Sequence, residues 1–258
     1  MTADGQIGYR KIGSGTPILL VTGLGATMDN WLPSFVDALA AHHTVVVFDN
    51  AGVGRTSSLR SPLTIGAMTR ETSQLITALR LGRTGVLGWS MGGMIAQALA
   101  VEHPSDVGAL ILAATQAGDG TARPVPAGWA ATVAHGNPAQ ILATLFPASQ
   151  EAATRTYVTG VLRYPGYYSV PAAVKTAQNM AVQQWIEGSD REGASVRRLD
   201  VPALVADGAE DVLDPMANAR SLAAHIHGAQ LALYPDAGHG FLFQYAAAFA
   251  TRVNALLG

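Results

Sequence analysis

The sequence predicts an α/β fold with a mostly parallel, doubly wound sheet, and three observations lead to this prediction. Short apolar runs, typical of strands that are buried on both faces, alternate along the chain with stretches of helical periodicity. At 258 residues, the chain has the length of one large domain of this class. Its 49% apolar and 13% charged residues are typical of a globular protein with a large buried core.

Seven segments are predicted as strands and five as helices. Residues Ile7–Ile12 follow the turn signal Asp4-Gly5 and are expected to form an antiparallel edge strand. The apolar runs predicted as parallel strands are Ile18–Val21, Thr44–Phe48, Gly85–Leu87, Val107–Ala113, Ala203–Ala206 and Leu231–Tyr234. The predicted helices are Trp31–Ala41, Ile65–Leu81, Met91–Val101, Met216–His225 and Phe241–Leu257.

The alternation stops between residues 116 and 198. This stretch holds short helical patterns separated by proline and glycine, and Asn137-Pro138 has the form of an N-cap followed by a first helical residue. Because long insertions in compact domains are usually functional, we predict a helical cap over one end of the sheet. Residues 1–115 and 199–258 would then form the core. An insertion with no role at the site is the alternative.

Charge and composition exclude several classes of partner. The net charge of −2 provides no basic surface for nucleic acid, and no run of about 18 apolar residues predicts a membrane span. Without cysteine, the chain has no thiolate zinc site and no cysteine nucleophile. No signal-peptide pattern is evident, so we expect a cytoplasmic protein. The expected partner is a small-molecule substrate. The low charge content fits either deep burial or a surface covered in a homo-oligomer.

The most specific motif is Gly88-Trp89-Ser90-Met91-Gly92, between a predicted strand and a predicted helix. In this context, Gly-x-Ser-x-Gly is typical of a nucleophile elbow, where a strained turn makes a serine hydroxyl project outward. We expect Ser90 to be the nucleophile and the backbone N–H of Met91 to be one donor of an oxyanion hole. An ordinary strand–helix turn is the alternative.

A serine nucleophile needs a base, and the base needs a group that orients it. Downstream of Ser90, one predicted strand leads into Asp207-Gly208-Ala209-Glu210-Asp211, and the next leads into Gly238-His239. This is the order serine, acid, histidine, and both candidates lie in loops after strands. His239 is the expected base. For the acid, Asp207, Asp211 and Asp214 are the alternatives.

With these motifs the chain resembles the α/β-hydrolase superfamily over nearly its whole length, including esterases, 3-oxoadipate enol-lactone hydrolases and cofactor-free haloperoxidases. The resemblance implies that Asp211, three residues after Gly208, is the acid. It also implies that the backbone N–H of Leu24, in the loop Gly23-Leu24-Gly25, is the second oxyanion donor.

Two motifs have other interpretations. Gly23-Leu24-Gly25 could begin a dinucleotide-binding pattern, but Met28 stands where the third glycine is required. His225 and His227 could bind a metal, but no carboxylate cluster stands near them in the sequence, and surface histidines are the preferred interpretation. We therefore predict neither a cofactor nor a metal.

A serine nucleophile favours acyl transfer, so the predicted function is hydrolysis of a carboxylic ester or lactone through an acyl-enzyme. A cofactor-free haloperoxidase or perhydrolase and a carbon–carbon bond hydrolase remain alternatives within the superfamily. The non-enzymatic alternative is a ligand receptor that retains Ser90, Asp211 and His239.

The predicted cap suggests the kind of substrate. Residues 124–150 contain no Asp, Glu, Lys or Arg. Because binding pockets are lined mainly by apolar and aromatic groups, we expect a small, neutral, largely apolar substrate. The residues expected to contact it are Trp89, Trp129, Phe146 and Trp185. The alternative is that these aromatic residues pack the cap onto the sheet.

Overall fold

The computed structural model describes residues 5–57, 62–164, 170–190, 193 and 199–258, and confirms the predicted sheet. Within these residues, seven strands lie in the order β1-β3-β2-β4-β5-β6-β7. All neighbouring strands are parallel except β1 and β3, which are antiparallel, so β1 is the predicted edge strand. The strands are β1 Tyr9–Ile12, β2 Thr16–Val21, β3 His43–Phe48, β4 Thr84–Trp89, β5 Val107–Ala113, β6 Ala203–Gly208 and β7 Gln230–Tyr234.

The strand order reverses between β2 and β4. From β2 the chain crosses to β3 on one side, and it then returns to β4 on the other side. Loops at the carboxyl ends of strands diverge at such a switch point and leave a crevice. The loop after β2 holds Gly23–Gly25, and the turn after β4 holds Ser90, so the topology places both predicted motifs at this crevice.

The helices confirm the predicted pattern with shifts at their ends. They are α1 Pro33–Ala40, α2 Ile65–Ala78, α3 Met91–Glu102, α4 Ala127–His135, α5 Pro138–Leu145, α6 Glu151–Val161, α7 Ala172–Ile186, α8 Met216–His225, α9 Phe241–Gln244 and α10 Ala246–Leu257. The single predicted helix over Phe241–Leu257 is wrong, because the chain leaves helical geometry at Tyr245. The hydroxyl of Tyr245 donates to the backbone oxygen of Pro235, which holds the break.

Two hydrophobic clusters cover the two faces of the sheet. On β2, Leu19 and Val21 belong to one cluster and Ile18 and Leu20 to the other, and all four are fully buried. Successive side chains of a strand point to opposite faces. The continuous apolar runs of the sequence therefore follow from burial on both sides.

Helices α4–α7 lie between β5 and β6, within the stretch predicted as an insertion, and no strand occurs among its described residues. We refer to residues 116–198 as the helical segment. α6 contacts α1 and α9, and α7 contacts α2, so the segment packs on the rest of the fold. Residues 194–198, at its predicted end, lie outside the described residues, as does Asp4 of the predicted first turn. The boundaries of the cap stay a prediction. Among the described residues, no helix is long and apolar enough to cross a membrane.

Candidate active site

Ser90 occupies the turn between β4 and α3 in a strained backbone conformation. Its φ of 58° lies in the left-handed region, which a residue with a side chain adopts only at a cost. The residues two positions before and two positions after Ser90 must be glycine. A Cβ at Gly88 would lie 2.2 Å from the backbone oxygen of Gly92, and a Cβ at Gly92 would lie 2.1 Å from that of Val21. The turn therefore has the geometry that the Gly-x-Ser-x-Gly motif predicts.

His239 is anchored by a carboxylate. Its Nδ1 lies 2.7 Å from Oδ2 of Asp211, and both side chains are buried. The other oxygen of Asp211 accepts backbone N–H bonds from Leu213 at 2.7 Å and Asp214 at 2.9 Å. These bonds fix the carboxylate, so it can hold one tautomer and one orientation of the imidazole.

The pKa of His239 results from two opposing effects. Burial, the largest single effect, lowers it, because a charged imidazolium loses its hydration. The charge of Asp211 and its hydrogen bond raise it, and the charge of Asp214 raises it further. The net result is a pKa above the ordinary 6.5, as suits a base that must hold a proton for part of a reaction.

One cavity brings the predicted groups together. Its volume is about 130 Å³, and Leu24, Ser90, Met91 and His239 all line it. The backbone N–H groups of Leu24 and Met91 donate to no other group among the described residues. Two unpaired donors beside a serine hydroxyl can stabilise negative charge on an oxygen atom.

The helical segment is hydrogen-bonded to both loops that carry these groups. The backbone N–H groups of His239 and Gly240 donate to the backbone oxygens of Thr144 and Leu145, at 3.3 Å and 2.8 Å. The N–H of Gly25 donates to Oε1 of Gln178 on α7, at 2.9 Å. Gln178 could not be predicted from the sequence, since a glutamine in a helix carries no signal of such a contact.

The two other candidate acids lie beside Asp211 but do not hydrogen-bond to His239. Asp207 is fully buried, and burial together with the charges of Asp211 and Asp214 raises its pKa well above the usual range. Asp214 lines the cavity, and burial and the charge of Asp211 raise its pKa to about 7. The geometry therefore distinguishes Asp211 from both.

The four aromatic residues expected to contact substrate have different surroundings. Trp89 donates through Nε1 to the backbone oxygen of His239 at 2.9 Å, and Trp185 donates to that of Gln116 at 3.1 Å. Both are buried in the core, and neither is among the described residues that line the cavity of Ser90. This is the packing role that the sequence left as the alternative.

Trp129 and Phe146 line a second, more open cavity of about 750 Å³. It lies on the helical segment and reaches the acid and histidine loops at Glu210 and Gly238. Among the described residues, no group of three or more His, Asp or Glu is placed to hold a metal ion.

Comparison with known proteins agrees with this architecture. Residues 16–246 match the α/β-hydrolase fold family. A poly(3-hydroxyalkanoate) depolymerase from Ectopseudomonas oleovorans is 30% identical over 252 residues, which cover 94% of this chain and 84% of that protein. A 2-hydroxymuconate semialdehyde hydrolase from Pseudomonas sp. (strain CF600) is 27% identical over 257 residues, which cover 95% of this chain and 88% of that protein. The enol-lactonase of Burkholderia xenovorans LB400 superposes with a TM-score of 0.78 at 25% identity, covering 99% of this chain and 98% of that one.

Proposed function

The chain belongs to the α/β-hydrolase fold family, and from that premise we propose that it hydrolyses a small, neutral carboxylic ester or lactone through an acyl-enzyme on Ser90. One observation carries the proposal. Ser90, His239 and the two unpaired N–H groups line one cavity, and a buried carboxylate anchors His239.

In the proposed reaction, Oγ of Ser90 attacks the carbonyl carbon while its proton passes to the imidazole of His239. The carbonyl oxygen becomes negative and accepts hydrogen bonds from the N–H groups of Leu24 and Met91. His239 then returns the proton to the departing oxygen, and the acyl group remains on Ser90.

Water completes the cycle. His239 takes a proton from the water molecule as its oxygen attacks the acyl carbon, and the collapse of this second intermediate returns that proton to Oγ of Ser90. The products are a carboxylic acid and an alcohol, or one hydroxy acid from a lactone. No step requires a cofactor or a metal.

The preference for a neutral substrate is supported by the charges around the cavity. Asp211 and Asp214 both lie beside His239 and would repel a substrate carboxylate. Among the described residues, the lining of the cavity contains no Lys or Arg that could pair with such a group. A buried carboxylate without a cationic partner is costly.

Two of the comparisons support an ester or lactone, because one relative is named for a polyester of 3-hydroxyalkanoates and one neighbour is an enol-lactonase. The relative from Pseudomonas is named for a semialdehyde instead. A panel of activated esters, lactones and diketones tests this choice, because turnover of the esters or lactones supports the proposal and turnover of the diketones indicates carbon–carbon bond cleavage. Continued turnover distinguishes an enzyme from a receptor that stalls after about one turnover.

Replacement of the nucleophile tests the mechanism. We expect Ser90→Ala to lower kcat for the best ester by about 10⁴-fold or more while the folded structure persists. A fluorophosphonate should label Ser90 alone among the serines, as peptide mapping can establish. Full activity in Ser90→Ala would refute the mechanism.

A further inference from the structure

Asp214 lines the cavity of Ser90, and one of its two carboxylate oxygens has no hydrogen-bond partner among the described residues. Asn218 lies one turn along the chain from it, and its Oδ1 accepts from the N–H of Arg123 at 2.7 Å. That contact turns Nδ2 of Asn218 toward Asp214, where it donates to Oδ1 at 2.8 Å. The second oxygen, Oδ2, is buried and makes no hydrogen bond to a described residue. A buried polar group without a partner is costly, so its presence needs a reason.

Thr115 is a second unpaired group on the same cavity. It follows β5, is almost fully buried, and lines the cavity together with Ser90 and Asp214. Its hydroxyl makes no hydrogen bond to a described residue. The mechanism proposed above uses neither Thr115 nor the free oxygen of Asp214.

The rest of the cavity limits what can satisfy these two groups. Apolar residues such as Met94, Val133 and Ile186 line it, and so do the amide side chains of Gln116, Asn179 and Gln183. Its volume of about 130 Å³ corresponds to roughly four water molecules. The part of a substrate that enters is therefore short.

The two unpaired groups match the hydrogen-bonding capacity of a hydroxyl. A carboxylate oxygen only accepts, and a threonine hydroxyl can donate. A hydroxyl group has one donor and two acceptor lone pairs, so it can satisfy both. An ammonium group has three donors and no acceptor, and a carboxylate would face Asp214 with like charge.

We propose that Asp214 and Thr115 form a polar subsite that binds a hydroxyl group on the substrate, so that the preferred substrate is a short ester or lactone carrying a hydroxyl. This proposal rests on the ester or lactone hydrolysis proposed above. The substrate hydroxyl donates a hydrogen bond to Asp214, and the hydroxyl of Thr115 donates a hydrogen bond to the substrate hydroxyl oxygen. Both are specificity residues, since neither takes part in bond cleavage.

Matched substrates test the proposal. One set consists of the phenyl esters of butanoic, 3-hydroxybutanoic, 3-methoxybutanoic and 3-aminobutanoic acids, and the second of butyl, 3-hydroxybutyl, 3-methoxybutyl and 3-aminobutyl acetates. A methoxy group accepts but cannot donate, so it cannot satisfy the free oxygen of Asp214. Assays at about pH 8.5 keep that carboxyl ionised, because its pKa is about 7. We expect kcat/KM of the hydroxy compound to exceed that of the methoxy compound by about 10-fold or more in at least one set.

Asp214→Asn replaces the unpaired acceptor by a donor. Because Nδ2 of Asn218 donates to Oδ1 of Asp214, the new amide should keep its oxygen there and place NH₂ at the position of the unpaired Oδ2. This group donates to a methoxy oxygen, so the ratio of hydroxy to methoxy kcat/KM should fall by about 10-fold. Thr115→Val keeps the volume and should lower the ratio of hydroxy to unsubstituted kcat/KM by about 10-fold. It also tests the subsite if Asp214→Asn does not fold.

The outcomes separate the two proposals. If the unsubstituted esters are hydrolysed in a Ser90-dependent manner but the wild-type protein shows no hydroxyl preference in either set, the subsite is refuted and the proposed function stands. A ratio of hydroxy to methoxy kcat/KM that is unchanged in a folded Asp214→Asn, or a preference for the amino compound, also refutes it. Absence of Ser90-dependent turnover with every ester and lactone refutes both proposals.

Discussion

Asp211 differs from the two carboxyl groups beside it in the bonds that each one makes. Asp211 bonds to His239 through one oxygen and accepts two backbone N–H groups with the other. Asp207 accepts from the N–H of Gly208, and its carboxyl lies against that of Asp211 rather than against His239. At the scale of single residues, hydrogen-bond geometry therefore supports Asp211 as the proposed orienting acid.

Asp211→Asn should lower kcat by about 10⁴-fold, the effect of the equivalent change in chymotrypsin-type enzymes, because an amide holds the imidazole in the wrong tautomer. Asp207→Asn is the matched control and should retain most of the wild-type kcat. Steady-state kinetics on one activated ester measures both. If Asp207→Asn proves inactive and Asp211→Asn active, the assignment of the acid is wrong.

The protonation of His239 predicts the acid side of the pH profile. Its pKa is raised above 6.5, so the imidazole gains a proton, and ceases to act as a base, at a higher pH than an isolated histidine. Activity should therefore fall as the pH decreases through a value above 6.5, and kcat/KM measured between about pH 5 and 9 reports it. An acid limb with its midpoint well below 6.5 would contradict the prediction.

At the scale of elements, helix α7 supports the loop that carries Leu24. Gln178 is fully buried, and its side-chain oxygen is the acceptor for the N–H of Gly25, which directly follows Leu24. The helical segment thus holds one of the two expected oxyanion donors as well as the backbone of His239. We expect Gln178 to act as a positioning residue.

Gln178→Leu should lower kcat by about 10-fold with little change in KM. The reason is that displacement of the Leu24 N–H reduces hydrogen bonding to the transition state more than it reduces binding of the substrate. Loss of an entire oxyanion donor costs about 10² to 10³ in kcat, so a displaced donor should cost less. Met180→Ala on the same helix is the control, since Met180 is 59% exposed. Equal effects on kcat and KM, in parallel with a lower Tm, would indicate a merely structural role.

At the scale of the whole molecule, the sheet lies between two hydrophobic cores, one on each of its faces. Leu19 and Leu20 are neighbours in sequence, both are fully buried, and each belongs to a different core. A sheet covered on one face would expose one of them. The central strand β2 therefore depends on both layers.

Leu19→Ala and Leu20→Ala should each lower the free energy of unfolding by about 2–5 kcal/mol, the usual cost of such a cavity. Leu162→Ala, at a position that is 68% exposed, should change it by less than about 0.5 kcal/mol. Chemical denaturation measures all three variants. A small effect at either Leu19 or Leu20 would contradict the two-sided core.

Much of the fold could be predicted from the sequence, because its signals are local. Burial on both faces produces continuous apolar runs, and these predicted all six parallel strands. The Gly-x-Ser-x-Gly motif is a contiguous sequence signal, although the clash that requires Gly92 is with the backbone of Val21 on the adjacent strand. Chain order then predicted His239 as the base, and the resemblance implied Asp211 as the acid.

The remaining features depend on contacts between distant parts of the chain. Trp89 and the His239 oxygen are 150 residues apart in sequence, and Gly25 and Gln178 are 153 apart. Composition alone cannot distinguish an aromatic residue on a cavity wall from one in the core. For that reason the sequence predicts contact with substrate for both Trp89 and Trp129. The unpaired oxygen of Asp214 likewise depends on how Asn218 is oriented by Arg123.

The sequence by itself determined the class of fold, the order of its elements and the residue types that carry the candidate chemistry, because local sterics and hydrophobic periodicity act over a few residues. Only the tertiary structure decided which carboxyl meets His239, which side chain holds the loop of Leu24 and which polar atoms are left unpaired beside Ser90. Those outcomes depend on packing between elements, where a displacement of about 1 Å makes or breaks a hydrogen bond.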